Sequence, residues 1–585
     1  MNKIWQLAPQ LRDDFVKRFP EYDRVILQLL HNRGLREGEE IEFFLRGRWE
    51  DNFDPFLFNK MGEAINLTIE QIKAGNKICV YGDYDADGIT ASVLLAEVLT
   101  ILRADCFVYL PDRSGEGYGL NCEAIDKAIK KGAKLLITVD GGIRNKKEVA
   151  YARGRGLEVI ITDHHTPPVE AENLPDCLIV NPHSHGEKYP FKFLAGVGVA
   201  FKFAQALVEK SKLNREQKEK ILEKALDLVA IGTVADCVDL LGENRLLLKK
   251  GLEVLNKTKR LGLKELIKAA KIEGRVLEAW NIGFQIGPRL NASSRMGSAG
   301  NALNLLMTRD RAEAEKEAAC LNERNQRRQK ETEELVAEVE EQIKKQLGEK
   351  IIIGLCPEKG KPWNEGIIGL VAGKITEKYY KPTLIITKAE KGYKGSGRSI
   401  EEFNLFQAIE ECADLLGNHG GHPLACGFNV SAAHLHAFLE KIRKIAGREL
   451  DKIELEAKLK IDCEIPLTEV SRTFYREITK LSPFGQHNPE PKFLSENLQI
   501  KDLMKMGING QHIKFRFNGL WGVGFNHTEE WGDFKIGDAV DAVYTLDENE
   551  FNGNINLQLK LIDVKLHGSE LIKKGHWTTE EVCAD

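Results

Sequence analysis

The chain has 585 residues, too many for one hydrophobic core, so three or four domains are expected. Its apolar content of 42% and charged content of 29% are ordinary for a soluble globular protein. The formal net charge of −5 excludes a global basic field, so any nucleic acid would have to contact local basic patches.

Predicted strands and helices alternate in the first half of the chain. Residues 1–50 are predicted to be mostly helical, and an amphipathic helix follows at 61–75. Strands that alternate with helices indicate a parallel α/β sheet, in which ligands collect beyond the carboxyl ends of the strands. The predicted strands are 77–81, 105–110, 134–139, 157–161 and 177–180, and the helices between them are 89–102, 121–131 and 145–155.

An acidic turn follows the first of these strands and carries Asp83, Asp85 and Asp87. In an extended segment this spacing points all three carboxylates to one side. Clustered carboxylates raise one another's pKa unless cations neutralise them, and hard divalent cations prefer such oxygen ligands. The alternatives are a solvated acidic turn and an EF-hand loop, but position 94 is Leu where the EF-hand needs Glu.

Three later loops carry further candidate ligands. Asp140 follows the strand at 134–139, the run Asp163-His164-His165 follows the next strand, and Asp236 follows the apolar run 226–231. One such Asp alone is usually a helix cap, and one His pair is usually a surface feature. Together they provide the carboxylates and imidazoles that suit a pair of Mn²⁺ or Mg²⁺ ions. Two such ions about 3.5–4 Å apart would clamp a phosphoryl centre and activate a water.

The middle of the chain contains a long helix and a second α/β region. Residues 301–347 lack Gly and Pro and predict one long helix or two nearly continuous ones, favoured as a solvated connector. Arg324, Arg327 and Arg328 on this helix are weaker candidates for DNA contact. From residue 351, strands and helices resume, and the glycine-rich stretches 395–399 and 420–422 are predicted loops. Their glycines would let backbone N–H groups approach an anion, unless they serve only the turns.

From about residue 455 the pattern changes to short strands with period-two alternation, which predicts a small antiparallel barrel of OB-fold size. On one strand, alternation places Lys514 and Arg516 opposite Phe515 and Phe517. The phenylalanines are therefore predicted core residues, and only the basic face is a candidate for binding single-stranded nucleic acid, beside Trp521. The predicted strands are 455–461, 512–517, 539–544 and 555–561.

The 11 cysteines are scattered and contain no C-x-x-C pair, which excludes a zinc ribbon and indicates a reducing compartment. The chain shows no signal-peptide pattern and no run of 18 apolar residues. A soluble cytoplasmic protein that binds no membrane is therefore expected.

Eight motifs make the chain resemble the DHH phosphoesterase superfamily, and closely the bacterial RecJ single-stranded-DNA exonucleases. Two departures from the RecJ pattern stand out, since Asn364 replaces a usual His and His487 replaces a common Gly. The matching motifs are Tyr81-Gly-Asp-Tyr-Asp-Ala-Asp-Gly88, Val139-Asp-Gly-Gly-Ile143, Thr162-Asp-His-His165, Leu194-Ala-Gly-Val-Gly-Val-Ala200, Gly232-Thr-Val-Ala-Asp236, Gly287-Pro-Arg-Leu-Asn-Ala292, Gly395-Ser-Gly-Arg-Ser399 and Gly420-Gly-His-Pro-Leu-Ala425.

The resemblance implies a role for each residue of these motifs. Asp140 would bridge two metal ions, and His165 would face the scissile phosphate, so these two are the expected catalytic residues. Asp163 would orient an imidazole. The expected metal ligands are Asp83, Asp85, Asp87, Asp140, His164 and Asp236, and Asp83 would be either a ligand itself or a group that supports one. The expected substrate-binding residues are Arg113, Arg289, Arg295, Ser396, Arg398, His422, Lys514 and Arg516.

The resulting hypothesis is a multidomain α/β enzyme that degrades single-stranded DNA from the 5′ end to nucleoside 5′-monophosphates in repair and recombination. A monomer is expected, with a helicase and a single-strand-binding protein as candidate partners. The alternatives are a DHH phosphodiesterase of short oligonucleotides or cyclic dinucleotides and a non-catalytic DNA-binding replication scaffold. The expected divisions are a helical segment (1–55), a DHH domain (56–300), a connecting helix (301–348), a DHH-associated domain (349–450), an OB-fold domain (451–567) and a tail (568–585).

Overall fold

The computed structural model describes residues 3–113, 115–551, 554–569 and 572–574. Most of the expected tail lies outside these residues. The predicted fold class is confirmed: a parallel-sheet α/β domain, a long helix, a second α/β domain and a β-rich C-terminal region follow one another. In the described part of the chain, no helix is long and apolar enough to cross a bilayer.

The N-terminal segment begins with a strand that the helical prediction for residues 1–50 missed. This strand pairs in parallel with residues of the C-terminal region, and Trp5 Nε1 donates to Asp563 Oδ2 at 2.7 Å. Apolar residues of the segment, such as Leu27 and Leu30, share one core with the C-terminal region. The elements are β1 (Ile4–Leu7), α1 (Asp13–Arg18), α2 (Arg24–Asn32) and α3 (Gly38–Arg46).

The first α/β domain contains a five-stranded parallel sheet in the order β3-β2-β4-β5-β6. Its strands are runs of apolar residues because helices cover both faces. Tyr81 lies beside Thr138 and Val139 lies beside Thr162, so the loops after β2, β4 and β5 meet at one edge. The elements are α4 (Met61–Lys73), β2 (Lys77–Tyr81), α5 (Ala86–Ile101), β3 (Cys106–Tyr109), α6 (Cys122–Lys130), β4 (Ala133–Val139), α7 (Lys146–Gly154), β5 (Glu158–Thr162), β6 (Leu178–Val180), α8 (Gly196–Lys210) and α9 (Arg215–Ala235).

A series of helices then leads to the second domain. A single π-helical turn, Ile282–Ile286, is inserted between two of them. The predicted long helix is interrupted at 308–310, where Asp310 caps the second part by accepting from Glu313 N at 2.8 Å. The elements are α10 (Gly242–Leu255), α11 (Leu261–Ala269), α12 (Ala279–Asn281), α13 (Gly287–Arg295), α14 (Gly300–Met307) and α15 (Arg311–Ile343).

The long helix α15 is not only a solvated connector. Its first half buries Ala318 and Leu321 in the core of the first domain, and its second half buries Val339 and Ile343 in the core of the second. Exposed pairs such as Arg327–Glu331, at 2.7 Å, occupy the remaining face. The helix therefore joins two hydrophobic cores.

The second α/β domain has a five-stranded sheet in the order β10-β11-β9-β8-β7. The prediction of loops at 395–399 and 420–422 was wrong, because these residues lie largely in strands β9 and β10. A Cβ atom on Gly395 would lie 2.1 Å from the Phe428 ring, so glycine here admits a packed aromatic side chain. The elements are β7 (Ile352–Leu355), α16 (Ile368–Tyr379), β8 (Thr383–Ala389), β9 (Gly392–Arg398), α17 (Leu405–Glu410), β10 (Leu416–His422), β11 (Ala425–Val430) and α18 (Leu435–Leu450).

The C-terminal region contains a seven-stranded sheet in the order β13-β14-β18-β19-β17-β16-β15. It is mixed where a purely antiparallel barrel was predicted, since β13 pairs in parallel with β14 and β17 with β19. The elements are β12 (Lys458–Ile461), β13 (Cys463–Glu464), α19 (Arg472–Thr479), β14 (Phe493–Gln499), β15 (Asp502–Met506), β16 (His512–Phe517), β17 (Leu520–Gly524), α20 (Thr528–Trp531), β18 (Ala539–Phe551), β19 (Asn554–Leu566) and β20 (Ile572–Lys574).

Candidate metal centre

The acidic turn after β2 is held in shape by backbone donors. Asp85 caps helix α5, and its Oδ1 accepts from Gly88 N at 3.0 Å. Asp87 is buried, and its two carboxylate oxygens accept from Gly196 N at 2.7 Å and Val197 N at 2.9 Å. These two donors are the first N–H groups of α8, where the helix dipole favours negative charge. These N–H groups favour the charged form of the buried Asp87 carboxylate.

The later loops bring their ligands to the same edge. Asp140 directly follows β4 and adopts a left-handed backbone with φ of 58°. His164 Nε2 lies 3.1 Å from Asp140 Oδ1 and 3.5 Å from Asp236 Oδ2. Asp236 reaches this position from the C-terminal end of α9. The structure thus brings together all six sequence-predicted ligands.

Two ligand groups share the edge, and each has its candidate atoms within 4.8 Å of one another. One group contains Asp83, Asp85 and Asp140, and the other contains Asp87, His164 and Asp236. Asp140 also groups with His164 and His165, so it lies between the two sets. Asp140 therefore lies between one group that contains Asp85 and another that contains Asp87.

The polar atoms of this cluster suit a cation better than they suit one another. Among the described residues, Asp83 Oδ1, Asp140 Oδ1 and His164 Nε2 are buried and find no partner in hydrogen-bonding geometry. Burial and the nearby charge of Asp236 raise the pKa of Asp87 to about 8. Burial and the nearby charges of Asp87 and Asp85 raise the pKa of Asp140 well above its usual range. Divalent cations would satisfy these lone pairs and relieve the repulsion.

This repulsion gives a first prediction, on the stability of the metal-free protein. Burial and the charge of Asp85 raise the pKa of Asp236 from 3.8 to about 8, and that of Asp87 rises as far. Between about pH 4 and pH 8, these two carboxyl groups hold protons in the folded protein that they have released in the unfolded chain. The stability from these groups is present below pH 4 and is lost as the pH rises through 8. Thermal unfolding after EDTA treatment should occur at a lower temperature at pH 8.5 than at pH 6, and Mg²⁺ should reduce the difference.

The Asp87→Asn variant is the matched control, since it removes one of the titrating carboxylates of the cluster. Its metal-free unfolding temperature should depend less on pH than that of the wild type. Identical pH dependence in the two proteins would contradict the assignment of the destabilising charge to this cluster.

His165 stands beside the cluster and is held by Asp163. Asp163 is fully buried and accepts from His165 Nδ1 at 2.8 Å and from Ile143 N at 2.9 Å. Burial opposes protonation of His165, but the hydrogen bond and the charge of Asp163 outweigh it and raise the pKa to about 9. His165 is therefore cationic at neutral pH and suited to donate a proton or hydrogen bond to a phosphoryl group.

Tyr118 is a site residue that the sequence reasoning missed. Its hydroxyl lies 3.1 Å from His165 Nδ1 and 3.3 Å from Nε2, so it extends the pair Asp163–His165. It projects from a glycine-rich loop in which Gly117 and Gly119 both have positive φ. Two glycines flanking an aromatic residue after a strand were the available signal.

Three glycines also went unrecognised as parts of this site. A Cβ atom on Gly88 would lie 2.6 Å from Asp83 N, and one on Gly196 would lie 2.5 Å from Asp140 Cβ. One on Gly232 would lie 2.6 Å from Asp87 Oδ1. Each glycine lets the backbone approach a candidate ligand closely.

A cluster of arginines lies between the cation ligands and the second domain. Burial and the nearby charges of Arg113 and Arg328 lower the pKa of Arg295 to about 10, and Asp85 and Arg398 also act on it. Arg289 likewise has its pKa lowered by burial and by Arg328. The described residues place no carboxylate within salt-bridge distance of any of the five arginines, Arg113, Arg289, Arg295, Arg328 and Arg398. Unpaired, partly buried cations of this kind fit an anionic ligand.

One face of the second sheet adds the remaining predicted contacts. Arg398 NH1 lies 3.4 Å from Ser396 Oγ. Three adjacent strands place Arg398, Ala425 and His422 in register, so their side chains share one face of the sheet. Two strand spacings put the Cα atoms of Arg398 and His422 about 10 Å apart. In the next row, Ser396 is followed by Gly427 and Gly420, whose Cβ positions meet nothing closer than 3.9 Å. This bare backbone is open to a ligand.

Lys514 and Arg516 belong to a separate surface in the C-terminal region. Their charges lie 4.6 Å and 5.7 Å from the centre of the Trp521 ring. Phe515 and Phe517 point to the other face and are fully buried, as predicted from the alternation. The surface therefore combines two cations with one aromatic ring.

The two departures from the RecJ pattern both have protein partners. The side chain of Asn364 accepts from Gly366 N at 2.9 Å and donates to Glu331 on α15 at 3.1 Å. His487 has φ of 53°, which explains why glycine is common there, and its Nδ1 lies 2.5 Å from Asp239 Oδ1. Asp239 follows the candidate ligand Asp236 by three residues, so His487 connects the linker of the C-terminal region to the loop after α9.

Comparison with known proteins defines first the class and then the family. The DHH family N-terminal domain matches residues 77–233, the DHHA1 domain matches 348–448, and the RecJ OB domain matches 461–563. The fold and site are thus those of a DHH phosphoesterase that carries an additional OB domain. The chain belongs to the RecJ family.

Individual relatives span nearly the whole chain. The single-stranded-DNA-specific exonuclease RecJ of Bacillus subtilis (strain 168) is 38% identical over 96% of this chain and 70% of its own length. The protein of that name from Escherichia coli (strain K12) is 31% identical over 96% of this chain and 99% of its own. The crystal structure of RecJ from Thermus thermophilus in complex with Mn²⁺ has a TM-score of 0.80 and 30% identity, covering 97% of this chain and 80% of that one.

Proposed function

We propose that this chain is a metal-dependent exonuclease that hydrolyses single-stranded DNA from the 5′ end and releases nucleoside 5′-monophosphates. The observation that supports it most is the position of Asp140 between two ligand groups, beside arginines that lack carboxylate partners. Family membership supports the single-stranded DNA substrate, and a relative of known structure binds Mn²⁺. The cofactors are divalent metal ions, Mn²⁺ or Mg²⁺, and we propose that two are bound.

The bound ions would supply Lewis-acid charge at the scissile phosphate. In the proposed mechanism Asp140 sets the gap between the ligand groups, and Asp83, Asp85, Asp87, His164 and Asp236 complete them. Asp163 fixes the ring of His165 through Nδ1, which leaves Nε2 to donate a proton to the leaving 3′ oxygen. Tyr118 contacts the same ring and limits its rotation.

The arginine cluster is proposed to bind the 5′-terminal phosphate. Arg113, Arg295 and Arg398 converge from the first domain, α13 and the second domain, with Ser396 and His422 on the open sheet face. Cleavage of the bond to the 3′ oxygen leaves the shortened strand with a new 5′ phosphate, so every product presents the group that these residues recognise. Lys514 and Arg516 would contact the strand farther from its end.

Polarity is tested with single strands that carry a bulky block at one end. The strand blocked at its 3′ end should be degraded to mononucleotides, and the strand blocked at its 5′ end should resist. Asp85→Asn protein purified in parallel is the control for contaminating nucleases. Degradation that stops only with the 3′ block would overturn the proposed direction.

Two other functions are less well supported. A phosphodiesterase of dinucleotides would not need the basic surface at Lys514, and a preference for dinucleotides over long strands would favour it. A non-catalytic scaffold would not need a complete ligand set, yet all six ligand positions are filled and adjacent.

We further propose a cytoplasmic monomer with the domain limits expected from the sequence, working with a helicase and a single-strand-binding protein in repair and recombination.

A further inference from the structure

Two aromatic side chains are exposed on the segment that leads into α13. Trp280 is 55% exposed and Phe284 is 67% exposed, and their rings stack with centroids 5.3 Å apart and planes at 22°. Val276, in the irregular segment before α12, is 80% exposed. Large aromatic rings stacked in solvent have unsatisfied apolar faces and often mark binding sites. We call Trp280 and Phe284 the aromatic pair.

The same segment is anchored by its other face. Ile282 and Ile286 are fully buried in the core of the first domain. A Cβ atom on Gly287 would lie 3.3 Å from Ala235 Cβ, so this face packs on the end of α9 immediately before the ligand Asp236. The core is therefore complete without the aromatic pair, whose exposure has no role in packing.

The π-helical turn connects the aromatic pair to the arginine cluster. Gly287 N donates to Ile282 O, a spacing of five residues that marks one π-helical turn between Phe284 and Arg289. Arg289 NH1 donates to Gln285 O at 2.7 Å, which holds the guanidinium beside the residue that follows Phe284. Arg289 in turn lies near Arg328, which lies near Arg295. Arg328 therefore links Arg289, beside the aromatic pair, to Arg295, which lies near the candidate ligand Asp85.

Acidic residues lie at the Trp280 end of the aromatic pair. Glu278 precedes Trp280, and its pKa is raised by burial and by the nearby charge of Asp547 in the C-terminal sheet. Phosphates are disfavoured beside these carboxylates and favoured beside Arg289. A strand crossing this region would keep its backbone on the arginine side and turn its bases towards the rings.

We propose that Trp280 and Phe284 form a stacking platform for the bases of the single strand as it approaches the metal centre. This inference rests on the proposed function and adds a subsite to it. Base stacking on an aromatic ring tolerates any sequence, as a non-specific nuclease requires. Stacking also demands unpaired bases, so the platform favours single strands over duplexes.

The test compares the affinities of the wild type and its variants for intact and abasic strands. Affinity is measured by fluorescence anisotropy in EDTA, so that no strand is cut. The ligands are 5′-phosphorylated strands of 2 to 20 nucleotides, with and without single abasic positions. The W280A/F284A double variant should bind the 20-mer about tenfold or more weakly than wild type and the shortest strands equally well. One or two abasic positions should weaken strand binding by the wild type and leave binding by the double variant unchanged. Because both side chains are exposed, the variant should fold.

Two controls separate stacking from charge. W280F/F284Y retains aromatic faces and should restore both the affinity and the abasic effect. Arg289→Ala should reduce the salt dependence of binding while retaining the abasic effect. The platform would be overturned if W280A/F284A lost affinity equally at every strand length. It would also be overturned if abasic positions weakened binding by W280A/F284A as they do in the wild type. If wild-type protein failed to degrade single strands, the proposed function would fall instead, and the two failures are therefore distinguishable.

Discussion

Replacing Asp140 with alanine is expected to abolish hydrolysis and to leave the protein folded. Asp140 is the carboxylate common to two of the three ligand groups, so its loss affects both proposed cation positions. Metal ions contribute several kcal/mol to the stabilisation of a phosphoryl transition state, which corresponds to a loss of about a thousandfold or more. Rates of mononucleotide release in saturating Mn²⁺ measure it, and activity within tenfold of wild type would sink the assignment.

Stability should respond in the opposite direction to activity. The cluster is mutually repulsive without cations, so removing one carboxylate should not lower the unfolding temperature of the metal-free protein. Asp227→Asn is the matched control, because Asp227 is equally buried but accepts from Thr258 Oγ1 at 2.7 Å away from the site. That variant should lose stability and retain its dependence on Mn²⁺.

A methyl group at Gly196 is expected to cost nearly as much activity, although glycine has no chemistry of its own. The added Cβ would lie 2.5 Å from Asp140 Cβ and 2.6 Å from its Oδ1. Because Gly196 N also donates to Asp87 at 2.7 Å, movement of α8 would displace a second ligand. Displacement of catalytic groups by about 1 Å costs about a hundredfold, which is the expected loss for Gly196→Ala.

Gly198→Ala provides the comparison within the same helix. The nearest contacts of its Cβ would all be with the side chain of Leu194, with Cδ2 at 3.2 Å and no candidate ligand closer than 3.7 Å, so activity should change little. The Mn²⁺ concentration needed for half-maximal activity should rise for Gly196→Ala and stay near wild type for Gly198→Ala. Equal behaviour of the two variants would show that Asp140 is not positioned by this contact.

The ligand edge was predictable because a parallel sheet constrains it strongly. Once 77–81, 134–139 and 157–161 are read as neighbouring parallel strands, Asp83, Asp140 and His164 must follow at one edge. The alternation around Phe515 likewise predicted its burial without any knowledge of the partner strands. Local periodicity and one topological rule suffice for both.

The arginine cluster and the glycines could not be predicted in the same way. Arg113 and Arg398 come from different domains, and their convergence depends on how α15 holds the two cores together. The glycine-rich stretch at 395–399 favoured a loop by composition, whereas the Phe428 ring that fills the space above Gly395 lies on another strand. Such contacts depend on tertiary packing, which the local sequence does not encode.

The pairing of β1 with β12 has a consequence for the order of events during synthesis. Residues 4–7 leave the ribosome early, yet their partner residues 458–461 emerge only after both α/β domains. Because domains generally fold as units as they emerge, the catalytic core should close while Trp5 and Leu27 still lack their native neighbours. The segment from β1 to α3 therefore remains apolar and unpaired until residues 458–461 have emerged. Its docking should be the last and slowest step of folding, and the stage at which a chaperone would have most effect.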